Sequence, residues 1–462
     1  MKTKKRRYET YSFYDHTGIS AHLEKMARKG WMLEEITTWT WVYRKIQPAA
    51  LSFAVCYYPQ ASQFDPKPSW EQETFYDFCA HTGWQLACSS AQMQIFYNEN
   101  PDPLPLETDP VLEVDTIHKA AVKSFLPAHF LLLAVALLQV ILLFFQLTKN
   151  PIQLLASSSS LFSGFAWCLC TILCLVEIGG YFLWHRKAKK AAEYGEFTAV
   201  SGHSQLTKAA LILAAAGFFS WILSLVFSGN RLGTVLSIAM ILYMVTLIGL
   251  VNAIRRLLQR RGASTKVNRT VTILSSFLLS FGMMGIITAL AIQAVSHGVL
   301  RTDALKAESP PFTMEDLEDI SPMDYTQEET VNESFLLKQL TFRQYPSSHT
   351  AVGDGQADEQ EIEYTVTSAK LPFLYELCRD SLLRRQNVTA NRHVPEGYKS
   401  LWKPADEKSW MATEAYRLTD QDSGARNTWL LCYENHLVRI FFSWEPSEEQ
   451  MEAVGEKFLS FS

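Results

Sequence analysis

Residues 124–147 read SFLPAHFLLLAVALLQVILLFFQL and contain no Lys, Arg, Asp or Glu. A helix that crosses a bilayer needs about 20 predominantly apolar residues. Within hydrocarbon every backbone N–H and C=O must also be hydrogen-bonded inside the segment, which a helix achieves. This stretch therefore predicts a membrane-spanning helix.

Four further segments have the same length and character, and only one of them carries a formal charge, at Glu177. They are residues 161–184, 209–227, 232–254 and 271–295. The alternative is that these segments are buried helices of a large soluble protein. Segments this long and this apolar do not favour that alternative. We predict a five-helix transmembrane bundle over residues 124–295 of a multi-pass protein of the cell membrane.

The basic residues between these segments indicate orientation, because Lys and Arg near span ends remain cytoplasmic. The second and fourth connections are strongly basic, whereas the first and third carry one base each, Lys149 and Arg231. The basic sets are Arg186, Lys187, Lys189, Lys190 and Lys208, then Arg255, Arg256, Arg260, Arg261, Lys266 and Arg269. We therefore predict a cytoplasmic N-terminus and, after five spans, an extracytoplasmic C-terminal domain.

The soluble flanks are each long enough to bury a core of their own. We predict a cytoplasmic domain over residues 1–123, an acidic linker with several prolines over 296–335, and an extracytoplasmic domain over 336–462. No cleavable signal peptide is visible, so the first span is expected to act as the anchor. Cys378 and Cys432 share the outer side, where a disulfide between them and two free thiols are both open alternatives.

The N-terminal flank contains an internal repeat. Gly30-Trp31-Met32-Leu33 matches Gly83-Trp84-Gln85-Leu86 at an offset of 53 residues, and a helical pattern precedes each glycine. Thr17 is expected to cap the first helix and Ser69, with Gln72, the second. With strands at 8–14, 31–36, 39–45 and 51–58, the pattern predicts two helix-hairpin repeats sharing one antiparallel sheet, a ferredoxin-like α+β sandwich.

The residues of the first repeat resemble a known family. Tyr14-Asp15, the run LEKMARKGWML at 23–33, and the aromatic strands that follow are similar to the domain of unknown function 2812 family, over about residues 8–100. The resemblance implies a bacterial membrane protein with a cytoplasmic N-terminal module. It also implies a protein partner, since such proteins are often encoded beside winged-helix repressors, and it supplies no catalytic residues.

Trp39, Trp41 and Tyr43 alternate along one predicted strand and so point to one face of the sheet. These aromatic side chains either fill the core beneath the helices or remain exposed as a partner-binding surface. Base stacking is the less favoured use, because residues 1–123 carry 13 basic and 15 acidic residues.

The C-terminal flank predicts a second small α+β domain. Its expected strands are 361–367, 411–418, 428–433 and 437–444, with helices at 371–385 and from Ser447, and a loop at 387–408. Residues 296–462 carry 16 basic and 29 acidic residues, which favours solubility or a cationic ligand.

No motif for catalysis stands out, and we expect neither an enzyme nor a cofactor. The best local metal cluster would be Asp15, His16 and His22, whose spacing fits capping and surface roles better. Glu177 is costly within a span and is the candidate for an intramembrane polar site with Asn252, Gln139 and Gln293. Alternatively it is neutral, or reaches toward Arg186 and Lys187.

Two separate soluble domains around a charge-poor membrane segment favour a regulatory or signalling protein. In this hypothesis the cytoplasmic module binds a protein partner and the outer domain senses or contacts an external ligand. The alternative is a transporter or a transporter accessory subunit, which would require a polar pathway that includes Glu177.

Overall fold

The computed structural model describes residues 3–37, 40–100, 102–200, 202, 204–227, 231–296, 310–317, 325–346, 360–384, 400–420 and 424–461. The chain forms two compact units, each with one soluble domain and parts of the long apolar helices. The first comprises Met1–Val140, Ala166–Gly217 and Leu236–Ala294, and the second Ile141–Phe165, Phe218–Val235 and Val295–Ser462.

The N-terminal module consists of short strands and two helices. In chain order these are β1 (Lys4–Arg7), α1 (His16–Arg28), β2 (Trp31–Ile36), β3 (Trp41–Lys45), β4 (Ser52–Tyr57), α2 (Trp70–His81), β5 (Gln85–Ser90) and β6 (Met93–Asn98).

The internal repeat is confirmed, and its unit is strand, helix and hairpin. The strands pair antiparallel in the orders β1-β3-β2 and β4-β6-β5. A register shift interrupts β2 between Leu33 and Glu35, and β5 shifts 53 residues later between Leu86 and Cys88. Gly30 and Gly83 end their helices at φ +77° and +85°, a conformation that favours glycine.

Three local expectations for this module are wrong. The strands form two three-stranded sheets instead of one, because β4 pairs with β6 and each repeat completes its own sheet. The first strand is Lys4–Arg7, and residues 8–14 have no strand structure; Tyr14 is buried in the core. Asp15, not Thr17, caps α1, its carboxylate accepting from the Gly18 amide at 2.9 Å. Ser69 caps α2 as predicted.

A series of helices, most of them long, follows the module. They are α3 (Pro110–Ala120), α4 (Leu126–Lys149), the short α5 (Pro151–Ala156), α6 (Ser158–Glu193), α7 (Ser204–Phe227), α8 (Arg231–Arg260) and α9 (Thr265–Ser296). A π-helical turn, Ala121–Phe125, joins α3 to α4. Among the described residues five helices are long and apolar enough to cross a membrane, as predicted.

Helix α6 is much longer than a bilayer requires. Its 36 residues extend about 54 Å at 1.5 Å per residue, whereas the hydrocarbon core is about 30 Å thick. Tyr181, Trp184, Ala188 and Ala192, in its C-terminal half, are buried in the core of the N-terminal module. Part of α6 therefore belongs to that soluble module.

The C-terminal domain is built on one antiparallel sheet with the order β10-β11-β12-β13-β9-β8-β7. Its elements are β7 (Tyr325–Glu333), β8 (Leu337–Pro346), β9 (Ile362–Ala369), α10 (Pro372–Arg384), β10 (Ser400–Pro404), β11 (Glu414–Asp420), β12 (Gly424–Cys432), β13 (His436–Phe442) and α11 (Glu448–Leu459).

Both faces of this sheet are covered. On one face α11 contributes Val454 and Phe458 to a core that includes Trp410 and Trp429. On the other face α10 and α5 bury a second cluster, in which Ile152, Leu154 and Leu155 lie against strand residues such as Leu337 and Leu430. The connection between α4 and α6 is thus part of the folded C-terminal domain.

Two expectations for this region are also wrong. The segment predicted as a linker contains β7, the edge strand of the sheet, and it contributes Phe312 and Met314 to the core. The predicted loop at 387–408 contains strand β10, while residues 385–399 lie outside the described residues. Cys378 and Cys432 are free thiols buried in one cluster, and burial raises the pKa of the Cys378 thiol to about 11.

Candidate functional site where the module meets the membrane helices

The loop that joins β4 to α2 is held against the C-terminal end of α8 and the N-terminal end of α9. The Arg255 guanidinium donates to the Gln63 amide oxygen at 2.7 Å, and the Gln259 side-chain amide donates to the Gln63 carbonyl at 2.8 Å. On the α9 side, the Thr265 hydroxyl donates to the Asp65 carboxylate at 2.6 Å. These hydrogen bonds join residues about 200 positions apart. We call this set of bonds the loop contact.

Asn268 is the most buried polar residue of this contact, with 0% of its surface exposed. Its amide nitrogen donates to the Phe64 carbonyl at 2.9 Å, and its amide oxygen accepts from the Thr272 hydroxyl at 3.2 Å. Buried polar groups are costly unless they are hydrogen-bonded. Asn268 therefore fixes the position of the loop relative to α9.

The loop is preshaped by its own hydrogen bonds. The Asp65 carboxylate accepts from the Ser62 amide at 2.7 Å, and the Asp65 amide donates to the Ser62 carbonyl at 3.1 Å. An aspartate that bonds its own backbone in this way stabilises a tight turn. The Asp65 carboxylate thus serves the turn and the contact with Thr265 together.

A second contact joins the module to α6. Tyr14 lies against Tyr181 and Trp184, with ring centroids 5.5 and 5.6 Å apart. The Tyr181 hydroxyl lies 2.7 Å from Nδ1 of His118, and the rings of His118 and His185 stack at 4.4 Å. This contact is largely aromatic, whereas the loop contact is polar.

Glu177 lies at the edge of the aromatic contact. Its carboxylate accepts a hydrogen bond from the Ser12 hydroxyl at 3.1 Å, so its partner belongs to the N-terminal module. The Asn252 amide donates to the Ile248 carbonyl of its own helix at 3.0 Å. Gln139 is partly buried and Gln293 is exposed.

The aromatic strand is a core strand where the structure describes it. Trp41 and Tyr43 are 8% and 0% exposed and belong to the core of the module. Trp39 lies outside the described residues. The buried alternative is therefore correct for Trp41 and Tyr43, because α1 and the segment at residues 11–14 cover this face.

Asp15, His16 and His22 serve separate partners. Asp15 caps α1, Nε2 of His16 lies 3.4 Å from Glu113, and Nε2 of His22 lies 3.2 Å from Glu9. Burial lowers the pKa of both histidines. No group of three metal-ligating side chains is found in the part of the chain that the structure describes.

A cavity of about 730 Å³ lies beside the loop contact. Its walls come from the end of β2, the β4–α2 loop, the turn between β5 and β6, and the C-terminal part of α8. Asn252, Arg255, Arg256 and Gln259 line it from α8. Of the four residues predicted to form an intramembrane polar site, only Asn252 lines this cavity.

Sequence reasoning missed both the loop contact and the cavity. The available signals were Asn268 and Thr272, two uncharged polar residues in the first turns of α9, and the Asp65-Pro66-Lys67-Pro68 turn. Neither signal identifies its partner, because the two segments are about 200 residues apart and pair only in the folded chain.

In the part of the chain that the structure describes, the fold defines a class of protein with five helices long and apolar enough to cross a membrane. An N-terminal α+β module contacts α6, α8 and α9, and a C-terminal domain is built around a seven-stranded sheet. Residues 16–130 match the model of a family described as Protein of unknown function (DUF2812). The resemblance seen in the sequence is confirmed, and the match extends into α4. No curated protein and no solved structure matches this chain.

Proposed function

We propose that this protein is a membrane-anchored regulatory or signalling protein whose N-terminal module binds a protein partner in the cytoplasm. The observation that supports the proposal is the loop contact. A soluble module that bonds side chain by side chain to α8 and α9 is able to pass a change in its own position to those helices. A flexible tether could not do so.

The C-terminal domain supports the same proposal. Helix α5, which joins α4 to α6, has its apolar side chains inside the core of this domain. A ligand that altered this core would act directly on the two adjoining helices. We propose that the domain is extracytoplasmic, as the basic connections and the odd number of spans indicate, and that it contacts an external ligand.

The partner surface has to lie outside the buried β3 strand. Helix α2 carries the large apolar side chains Trp70 and Phe78, which are 76% and 63% exposed. The exposure of Phe78 makes it a suitable position for a photocrosslinking residue. Lys25, an exposed residue of α1, provides a matched control position.

The test is photocrosslinking in cells that express the full-length protein. We expect a discrete protein adduct from position 78 and none from position 25, and we expect a winged-helix repressor encoded nearby to be a component of the adduct. If neither position 78 nor position 70 yields an adduct with a soluble protein, the proposed partner binding is wrong.

A further inference from the structure

The cavity beside the loop contact has an unbalanced positive charge. Three basic side chains line it, Arg255, Arg256 and Lys67, against two carboxylates, Glu35 and Asp65. Asp65 already accepts hydrogen bonds from Thr265 and from the Ser62 amide. The Glu35 carboxylate lies 3.6 Å from Arg256, which leaves Arg255 and Lys67 without a carboxylate among the described residues.

Arg255 has an unused donor. Its Nη1 bonds to a neutral amide oxygen of Gln63, while its Nε is buried and has no hydrogen-bond partner in the described part of the chain. Leaving a buried charged donor unsatisfied is costly, and native structures usually satisfy such groups with protein, water or ligand. The guanidinium, which lines the cavity, is therefore only partly satisfied by the protein.

The lining supplies further donors for an oxyanion. The hydroxyl side chains of Ser62, Ser89 and Ser90 and the side-chain amide of Asn252 share the cavity with the bases. The Gln259 amide also lines it, but its nitrogen already donates to the Gln63 and Asp65 carbonyls. A phosphate group accepts several hydrogen bonds at once, and arginine binds it through two parallel N–H donors. A carboxylate ligand would use fewer of these donors than a phosphate.

The cavity lies at the end of the apolar segment of α8. Arg255 and Asn252 lie near the C-terminal end of α8, where its apolar span gives way to the basic residues of the α8–α9 connection. Basic pockets at the ends of membrane helices are recognised sites for anionic headgroups. We propose that this cavity binds a phosphate group, supplied by an anionic phospholipid of the surrounding leaflet.

The test uses the full-length protein in nanodiscs of phosphatidylcholine with a minor fraction of phosphatidylglycerol, and native mass spectrometry to count retained lipids. We expect preferential retention of phosphatidylglycerol by the wild type and a loss of about tenfold in Arg255→Gln. Arg260→Gln removes the same charge from the same connection outside the cavity, and it should change retention less than about twofold.

Two further variants separate binding from folding. Gln63→Ala removes the loop's bond to Arg255 and keeps the guanidinium, so it should retain the lipid even if the loop contact weakens. Arg255→Lys keeps the charge and loses the fork of donors, and its retention should lie between wild type and Arg255→Gln. If Arg255→Gln and Arg260→Gln retain phosphatidylglycerol equally, the lipid site is refuted.

A soluble phosphate compound is the other source of the same chemistry. In nanodiscs of phosphatidylcholine alone, inorganic phosphate should raise the thermal unfolding temperature of the wild type and not of Arg255→Gln if the cavity binds phosphate. Stabilisation by phosphate without retention of phosphatidylglycerol would assign the site to a soluble ligand. If phosphatidylglycerol is not preferentially retained and phosphate does not stabilise the protein, the proposal is wrong. The proposal does not depend on the proposed protein partner.

Discussion

Individual polar residues in this protein carry the contacts that join its parts. Asn268 is fully buried near the start of α9, and its amide nitrogen donates to the Phe64 carbonyl of the N-terminal module. Its amide oxygen accepts from Thr272 of the same helix. The hydrogen bond from Ser12 to Glu177 connects the module to α6.

Replacing Asn268 with Leu should therefore release the loop. The Phe64 carbonyl would lose its buried donor, which costs about 1–3 kcal/mol. We expect faster proteolysis at residues 61–68 and a lower unfolding temperature in detergent. Thr270→Ala, at an exposed neighbouring position, should match the wild type in both measurements. Equal cleavage of Asn268→Leu and wild type would show that the bond does not hold the loop.

The C-terminal domain should lose stability in mild acid through His436. Burial lowers the pKa of His436 to about 4 from its ordinary 6.5. Between these two pH values His436 is protonated in the unfolded chain and neutral in the folded domain. Stability is therefore complete above pH 6.5 and falls as pH decreases to about 4, by about 3 kcal/mol in all.

This effect can be isolated with His436→Phe, which keeps the ring that stacks on Tyr433 at 4.9 Å. Thermal unfolding of the full-length protein in detergent, recorded from pH 7 to pH 4 through tryptophan fluorescence, should show a smaller decrease for the variant. An unchanged pH profile in His436→Phe would mean that other groups control acid unfolding.

At the scale of elements, the short helix α5 has an importance that its six residues do not suggest. Proline at its first position favours helix initiation. Ile152, Leu154 and Leu155 are then buried among residues of α10, β8, β12 and β13, which lie about 180 to 290 positions further along the chain. Such a connection is a structural part of the domain it touches.

Shortening an apolar side chain of α5 should accordingly destabilise the C-terminal domain. Leu154→Ala removes a fully enclosed side chain, and large-to-small core changes cost about 2–5 kcal/mol. Hydrogen exchange of the full-length protein should become faster in β12 and β13 and remain unchanged in β2 and β3. Gln153→Ala, at an exposed position of the same helix, is the matched control. If both variants exchange alike, α5 does not stabilise the sheet.

At the scale of the whole molecule, the number of spanning helices determines which compartments the soluble domains occupy. Five helices with basic second and fourth connections predict an internal N-terminus and an external C-terminus. Reporter fusions after Tyr194, Gly262 and Ser462 test this arrangement. We expect cytoplasmic reporters at the first two positions and an external one at Ser462, and a cytoplasmic reporter at Ser462 would exclude a sensing role outside.

The sequence by itself determined the features that depend on local physics. The five apolar runs follow from the match between helix length and bilayer thickness, and the 53-residue repeat follows from recurring helix and hairpin patterns closed by Gly30 and Gly83. The strand at 31–36 and the caps at Ser69 and Ser447 were predicted for the same reason. Each of these signals is complete within a few turns of chain.

Only the tertiary structure decided which residues meet across long separations. It placed Trp41 and Tyr43 inside the module, assigned β7 to a sheet instead of a linker, and brought Arg255 and Asn268 to the loop at residues 61–68. A single sequence does not encode such pairings in any local pattern, because they depend on how complete elements pack. The candidate site arises entirely from pairings of this kind.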